Sequence, residues 1–499
     1  MRRAALILMT LLSLIVVTGC PTEPEEGFPP VITLPDGKIY SIELGESITL
    51  SPVFDRLTET TTITWLSNGK PVGAGKTFTF TPEETGIFYF TVEAVNEFGK
   101  GFAEVRIDVR KKAEPEPPGP TPPEPTPPPA DAPLFIFEQV EYHVAVGRAI
   151  RLLPLDLDST KQYTFTWKVD GAMVQEGAQP FYRFEAQSQG SFRLDVRATD
   201  GTSTADTTLT VVVCPPEGTY RRNATASSSP HITKVYDFLP APGQYINENY
   251  TASTMEEACA YAVARMKEGV YVSLGGFGGS VTVGFDHSIA NDGDYNFAIK
   301  EASYSNYSEP GIVWVMQDEN GDGLPNDTWY ELKGSEYGLD CTVQDYAVTY
   351  YRPSAPAMAV SWTDNHGGSG TIDYWASFHK QDYYYPLWVK EDRYTLRGTR
   401  LEARNYDQSG RGTYWINPDY GWGYADNHSE TDMLPDRATG LTKGWNHFKI
   451  SDAVTFDGQP ANLQYIDFVK VQTGLNTKSG WLGEVSTEVM DVVDFNLVK

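Results

Sequence analysis

Between residues 31 and 110, apolar and polar positions alternate in short runs interrupted by Gly, Asn and Pro. Thr61-Thr62-Ile63-Thr64-Trp65 and Ile87-Phe88-Tyr89-Phe90-Thr91-Val92 are examples. A period of two predicts half-buried strands, and strands this short and frequent predict a sandwich. The pattern then repeats. Trp65-Leu66-Ser67-Asn68-Gly69 returns as Trp167-Lys168-Val169-Asp170-Gly171, and Gly86–Val92 returns as Gly190–Val196. Ala94-Val95-Asn96 likewise matches Ala198-Thr199-Asp200. From Pro215 onward the pattern stays strand-like, with strands predicted at Val270–Leu274, Ser280–Phe285, Ile312–Met316, Tyr346–Tyr350 and Tyr465–Val471. One stretch departs from it: Thr254–Lys267 predicts a short helix, with Thr254 as N-cap, Glu257 completing a capping box and Gly269 as the stop. The expected fold class is all-β: tandem sandwiches over 31–110 and 134–214, then a large sandwich with loop insertions over 215–499.

The offset of the repeat, 102–104 residues, is the length of an immunoglobulin-like unit. The two copies resemble PKD-type surface domains. Trp65 and Trp167 then sit on central strands and belong to the cores. Together the two modules read as a stalk. Lys111 to Pro133 is nearly half proline. Chain of that kind is extended and semi-rigid, about 3.1 Å per residue, and spaces modules apart.

The N-terminus reads as an address. Arg2 and Arg3 precede an apolar run from Ala4 to Val17 that ends in Val17-Thr18-Gly19-Cys20. This is the make-up of a secretory signal over 1–20, too short for a stable span. Gly19-Cys20 resembles the lipobox of bacterial lipoproteins, which implies that Cys20 is the acylated anchor. The acidic tether over 21–30 (Glu23, Glu25, Glu26) resembles the export tag that Bacteroidetes use for lipoproteins exposed outside the outer membrane. A net charge of −27 argues against nucleic acid and against insertion among anionic lipids. Only Cys214, Cys259 and Cys341 follow the anchor, which excludes a disulfide scaffold. A Cys259–Cys341 bridge and free thiols both stay open.

Candidate chemistry is concentrated after residue 215. Asp318-Glu319-Asn320-Gly321-Asp322-Gly323-Leu324-Pro325-Asn326-Asp327 places oxygen ligands at alternate positions, as a loop around calcium requires. Asp318, Asn320, Asp322, the carbonyl of Leu324 and Asp327 (or Asn326) would hold a structural ion. The twelfth position is Trp329 where an EF-hand has Glu, although Glu331 could substitute in a longer loop, and the same residues equally predict a polar hairpin turn. Gly275–Gly279 lacks the Lys-Ser/Thr ending of a phosphate loop and predicts a tight turn.

Nine of the eleven tryptophans lie in this last part. Its middle carries rings beside amides and carboxylates: Trp362, Asp364, Asn365, Trp375, Tyr384, Trp388, Trp415, Tyr420, Trp422, Tyr424, Asp426 and Asn427. Rings on Gly/Asn/Asp-rich loops predict a surface for a ligand with flat faces and hydrogen-bonding edges, whereas a single Trp or Tyr off such loops belongs more often to the sandwich core. No motif of nucleophilic or zinc chemistry is present, and the seven histidines show no helix-spaced pair. Carboxylate pairs such as Glu484 with Glu488, or Asp364 with Asp426, are the sole opening for glycoside hydrolysis. A binder is expected, not an enzyme.

The opening strands Ser273–Gly276 and Val281–Asp286, together with the closing pair Ile466–Val471 and Val492–Phe495, resemble a galactose-binding-type jelly roll. More closely, Tyr236–Gln244, Glu309–Val313 and Gly480–Glu484 resemble stretches of a Bacteroidetes family of PKD-containing surface lipoproteins found beside vitamin B12 receptors. That resemblance implies an outer-membrane lipoprotein, exposed at the cell surface, that captures cobalamin for a TonB-dependent receptor. A glycan-binding lipoprotein of a polysaccharide utilisation system is the alternative, and a glycosidase or esterase on the same fold is the third reading.

Overall fold

The computed structural model describes residues 28–34, 39–67, 69–110, 135–155, 157, 161–300, 302–433 and 444–498. The signal segment, Cys20, most of the tether and the linker over 111–133 lie outside the described residues. The chain divides into two units, one before and one after the boundary at Thr126–Pro127.

In the first unit the alternating pattern produces a five-stranded sheet. Its order is Ile39–Glu43, Gly99–Arg110, Gly86–Asn96, Thr62–Ser67, Lys70–Ala74, the first pair parallel. Trp65 on the central strand is fully buried, stacks on Phe78 at 5.2 Å and donates its indole N–H to Gly75 O at 3.0 Å. The second module repeats this order with Glu141–Ala145, Thr204–Cys214, Gly190–Thr199, Thr164–Val169 and Ala172–Gly177, again with a parallel first pair. Trp167 stacks on Tyr182 at 5.7 Å. Both modules carry a β-bulge directly after the tryptophan, at Trp65/Leu66 and Trp167/Lys168. The internal repeat read from the sequence is thus a repeat of sheet order and local defect alike.

The remaining residues build a larger sandwich. One sheet runs Lys234–Leu239, Ser280–Ala290, Tyr465–Thr473, Gly311–Met316, Trp329–Leu332, Ala453–Val454, antiparallel throughout. A second, of three strands, sets Phe297–Lys300 between Trp445–Phe448 and Asp491–Asp494. Between them in sequence, the middle insertion, roughly residues 340 to 455, forms its own four-stranded sheet: Ser369–Ile372, Val360–Asp364, Val343–Tyr351, Arg393–Arg400. Val281, Val469 and Val313 of the first sheet, Ile299 and Val492 of the second and Val348 and Tyr350 of the insertion share one apolar core. The insertion is therefore part of the folded body.

The helix spans Met255–Lys267, with Thr254 accepting the Glu257 N–H at 3.2 Å. The capping Glu257 reaches back one residue further than expected, to the N–H and hydroxyl of Ser253. Ala258, Ala262 and Met266, spaced by four, form the buried stripe. A second helix, Phe495–Val498, is a single turn that the sequence does not announce. Val270–Leu274 shrinks to Val272–Ser273, since only these residues pair, with Glu488–Val489. Cys214, Cys259 and Cys341 are all free thiols.

The second module is bolted to the large sandwich by polar contacts. The Ala145 N–H donates to the Glu319 carboxylate at 2.9 Å, and Thr328 donates its hydroxyl to His143 O at 2.9 Å. Arg148 pairs with Glu217 and Arg151 with Asp345, both at 2.6 Å. Arg397 donates to the carbonyls of Leu153 and Pro154. Of the two modules read as a stalk, the second is thus integral to the second unit.

Candidate functional site

The middle rings mostly turn inward. Tyr384 and Trp388 are core: Trp388 stacks on Phe238 at 5.7 Å and donates to its carbonyl at 3.0 Å. Tyr420 and Tyr424 are buried too, the first donating to Glu402 O and the second accepting the Glu336 N–H. Asp426 and Asn427 are buried backbone braces. Asp426 accepts from Ala302 and Glu488, while Asn427 accepts from and donates to the backbone of Tyr420. These six are corrected from ligand contacts to structure, because polar loops that fold inward must spend their amides and carboxylates on their own backbone.

Trp362, Trp375, Trp415 and Trp422 are half-buried. The Trp362 indole covers Gly370 on the neighbouring strand, where a Cβ would come within 2.5 Å. Asp364 closes the 364–368 turn, accepting from Gly368 at 2.6 Å, His366 at 2.9 Å and the Tyr346 hydroxyl at 2.6 Å. Burial opposes these bonds, yet together they hold its carboxyl below the usual range. Asn365 braces Ala347 and Asp345. It also lines a cleft of about 930 Å³, together with Arg151, Phe181, Asp345 and Arg397.

The 318–327 loop joins Gly311–Met316 to Trp329–Leu332. Asp318 accepts the N–H groups of Gly321 and Gly323, Asn320 that of Asp322, and Asp322 that of Leu324. Asp327 accepts the Glu319 N–H. Among the described residues no three His, Cys, Asp or Glu side chains are grouped to hold a metal. A cation in this loop would therefore depend on the amide and carbonyl oxygens of Asn320, Leu324 and Asn326 as much as on Asp318 and Asp322.

A different set of rings faces water. Of six exposed aromatic side chains among the described residues after 215, five stand on adjoining loops: Tyr304, Phe378, Tyr406, Tyr414 and Trp481. Tyr304, Phe378 and Trp481 are 60%, 62% and 45% exposed. Phe378 and Trp481 lie 6.2 Å apart, and Tyr304 stacks on Tyr307 at 4.8 Å. Tyr406 and Tyr414 belong to the small hairpin Tyr406–Asp407/Trp415–Ile416. The loops are tied to each other. Asn405 donates to Lys478 O and Ser479, Ser479 donates to Asn417, and Tyr307 bridges to Asn417. A Cβ on Gly480 would strike the Trp415 indole at 2.2 Å, so that glycine permits the hairpin to lie against the Trp481 loop.

Beneath these rings the three stretches picked out by resemblance converge. Glu484 Oε1 accepts the Gln244 N–H at 2.7 Å, and the Gln244 side chain donates to Leu482 O. Gly243 passes so close that a Cβ would meet Glu484 at 2.6 Å. The Thr487 hydroxyl donates to Glu309 O at 2.8 Å. Burial, then repulsion from Glu488 and Glu484, pushes the Glu309 carboxyl well above its normal range, with only the Ser486 N–H opposing. Burial raises Glu484 to about 8. Sequence reasoning offered Glu484 and Glu488 as a pair and missed Glu309, Tyr304, Phe378, Tyr406 and Tyr414. The signal available was the convergence of Tyr236–Gln244, Glu309–Val313 and Gly480–Glu484. Asp364 and Asp426, the other suggested pair, serve separate turns.

Residues 29–96 match the PKD-like domain family. This PKD-like module precedes the residues that carry the rings and carboxyls just described. Solved structures similar to the chain include the fibronectin(III)-like modules of Clostridium thermocellum CbhA, at 12% identity over 39% of this chain and 100% of that one, TM-score 0.15. Others are Sidekick-1 immunoglobulin domains 1–4 (16%, 38% and 50%, TM-score 0.16) and the PKD domain of human KIAA0319 (17%, 20% and 98%, TM-score 0.16). At such TM-scores these likenesses carry no argument. No curated protein matches the chain.

Proposed function

We propose that this protein is a lipid-anchored lipoprotein on the outer face of the outer membrane that captures a glycan for a TonB-dependent receptor. One observation carries the ligand class: five exposed rings gathered on one set of mutually bonded loops. Exposed rings cost solvation and need a reason. Separate rings on a rim suit the apolar faces of successive sugar units, each supplying burial at small entropic cost. Carboxyls held as buried acids do not by themselves make a hydrolase, and the reading is a binder.

A second reading has its own observation. The cleft of about 930 Å³ beside Asn365 and Arg397 lies in the size range of small-molecule sites and supports cobalamin, the ligand the family resemblance implies. Calorimetry on residues 28–499 with a panel of soluble glycans and with cyanocobalamin separates the two. Trp481→Ala and Phe378→Ala should each weaken glycan binding roughly tenfold, about 1.4 kcal/mol, without changing the melting temperature. Micromolar binding of cyanocobalamin alone, unaffected by either substitution, would move the ligand to the cleft.

A further inference from the structure

A cavity of about 230 Å³ lies where the second module meets the large sandwich. Tyr142 and Glu138 wall it from the module, Arg397 from the inserted sheet, and Trp314, Trp329 and Lys470 from the six-stranded sheet. None of the five exposed rings lines it. Across the six-stranded sheet, Asp237, Thr282, Lys470, Trp314 and Glu331 stand opposite one another in turn, so their side chains share one face. The Lys470 ammonium lies 4.5 Å from the centre of the Trp329 ring and 5.4 Å from that of Trp314. It makes no hydrogen bond or ion pair with any described residue. The ladder gives the reason. Asp237 and Glu331 stand two strands away on either side, roughly 10 Å at the usual strand spacing. Glu331 accepts the Thr399 hydroxyl at 2.7 Å, and Glu138 pairs with Arg397 at 3.3 Å. Arg151, the other guanidinium of the wall, is held by Asp345 at 2.6 Å. Trp314 adds a second donor, an indole N–H buried with no partner.

An ammonium withdrawn from water without an ion pair is costly, and ring faces offset part of that cost. Burial accordingly pushes the Lys470 pKa below the ordinary lysine value. An anion brought by a ligand would offset the rest, and a carboxylate accepts from an ammonium and an indole N–H alike. Sites for drug-sized molecules measure about 300–1,000 Å³, so this cavity suits a single small ring. Two indoles in the wall offer that ring an apolar face to lie against. We infer that the cavity binds a small cyclic carboxylate, its anion on the Lys470 ammonium and its ring beside Trp329 and Trp314. Sugar acids and aromatic acids both carry this chemistry. Module and sandwich line the cavity together, so the bound molecule bridges the joint and stabilises the fold by mass action. The site stands apart from the exposed rings, whatever these capture.

Titration calorimetry and melting curves on residues 28–499 compare sodium glucuronate and sodium benzoate with their neutral counterparts, glucose and benzyl alcohol, at constant ionic strength near neutral pH. At least one carboxylate should raise the melting temperature and bind about tenfold or more tightly than its neutral counterpart. Which of the two binds tells a sugar acid from an aromatic one. Lys470→Met keeps the apolar stem and removes the charge. It should abolish the preference and leave the melting temperature of the ligand-free protein unchanged or higher, since no ion pair is lost. Binding of neither carboxylate, equal binding of each carboxylate and its neutral counterpart, or a preference that survives Lys470→Met overturns the site. So does a Lys470→Met protein that melts lower or fails to fold, which makes the ammonium structural.

Discussion

A single tryptophan means different things in different places along this chain. Trp167 is fully buried in the second module, and Trp167→Ala should cost about 3–5 kcal/mol in denaturant unfolding, the usual penalty for emptying a core indole site. Trp481, 45% exposed, should show the opposite profile: no loss of stability and a loss of binding. The repeat told that Trp65 and Trp167 were core, since the same residue recurred at the same strand position. Nothing comparable distinguished Tyr420 and Tyr424 from Tyr406 and Tyr414. All four sit among Gly, Asn and Asp, and burial is decided by partners remote in sequence, such as Glu336 for Tyr424. Local composition therefore found the ring-rich region but sorted its rings wrongly.

Among the elements, those with local rules were legible. The helix followed from its cap, and Thr254→Ala should cost about 1 kcal/mol, read as a fall in melting temperature. Gly275 sits at φ +68° in the tight turn, and a Cβ there would meet Ala241 O at 2.1 Å. Gly275→Ala should accordingly destabilise the sandwich far more than a surface substitution does. The 318–327 loop obeys two local rules at once, and its own Asx-type bonds satisfy the turn without an ion. Calorimetric titration of the chelator-treated protein with calcium decides between them. Heat release with a raised melting temperature makes the loop a cation site, and neither makes it a hairpin turn. The inserted sheet was not legible, because its register depends on Val343–Tyr351 pairing with Arg393–Arg400 across the whole insertion.

At the scale of the molecule, the second unit stores protons. Burial raises Asp327 and Glu484 to about 8 and Glu331 to about 7, and pushes Glu319 well above the carboxylate range. An unfolded carboxyl titrates near 4, so between about pH 4 and 8 the folded chain binds more protons than the unfolded one. Stability must then fall as pH rises across that window. The opposite contribution from Asp200 and Asp407, held at about 2, is complete below it. Scanning calorimetry should show a melting temperature highest near pH 5 and declining toward pH 8, and Asp327→Asn should flatten the decline. The all-β class, the two modules and the ring-rich last part were readable from periodicity and repeat. The joint between the second module and the sandwich was not, since it is written in scattered single pairs such as Arg151 with Asp345 and Arg397 with Leu153.

That joint sets where the chain can be cut. Severed at Pro215, the sandwich would surrender Ala145, His143 and Arg148, the partners of Glu319, Asn326 and Glu217. A recombinant piece starting there should aggregate, whereas one starting before Phe135 should come off a sizing column as a single sharp species. The smallest piece of the last part that keeps its own contacts is the large sandwich together with the module in front of it.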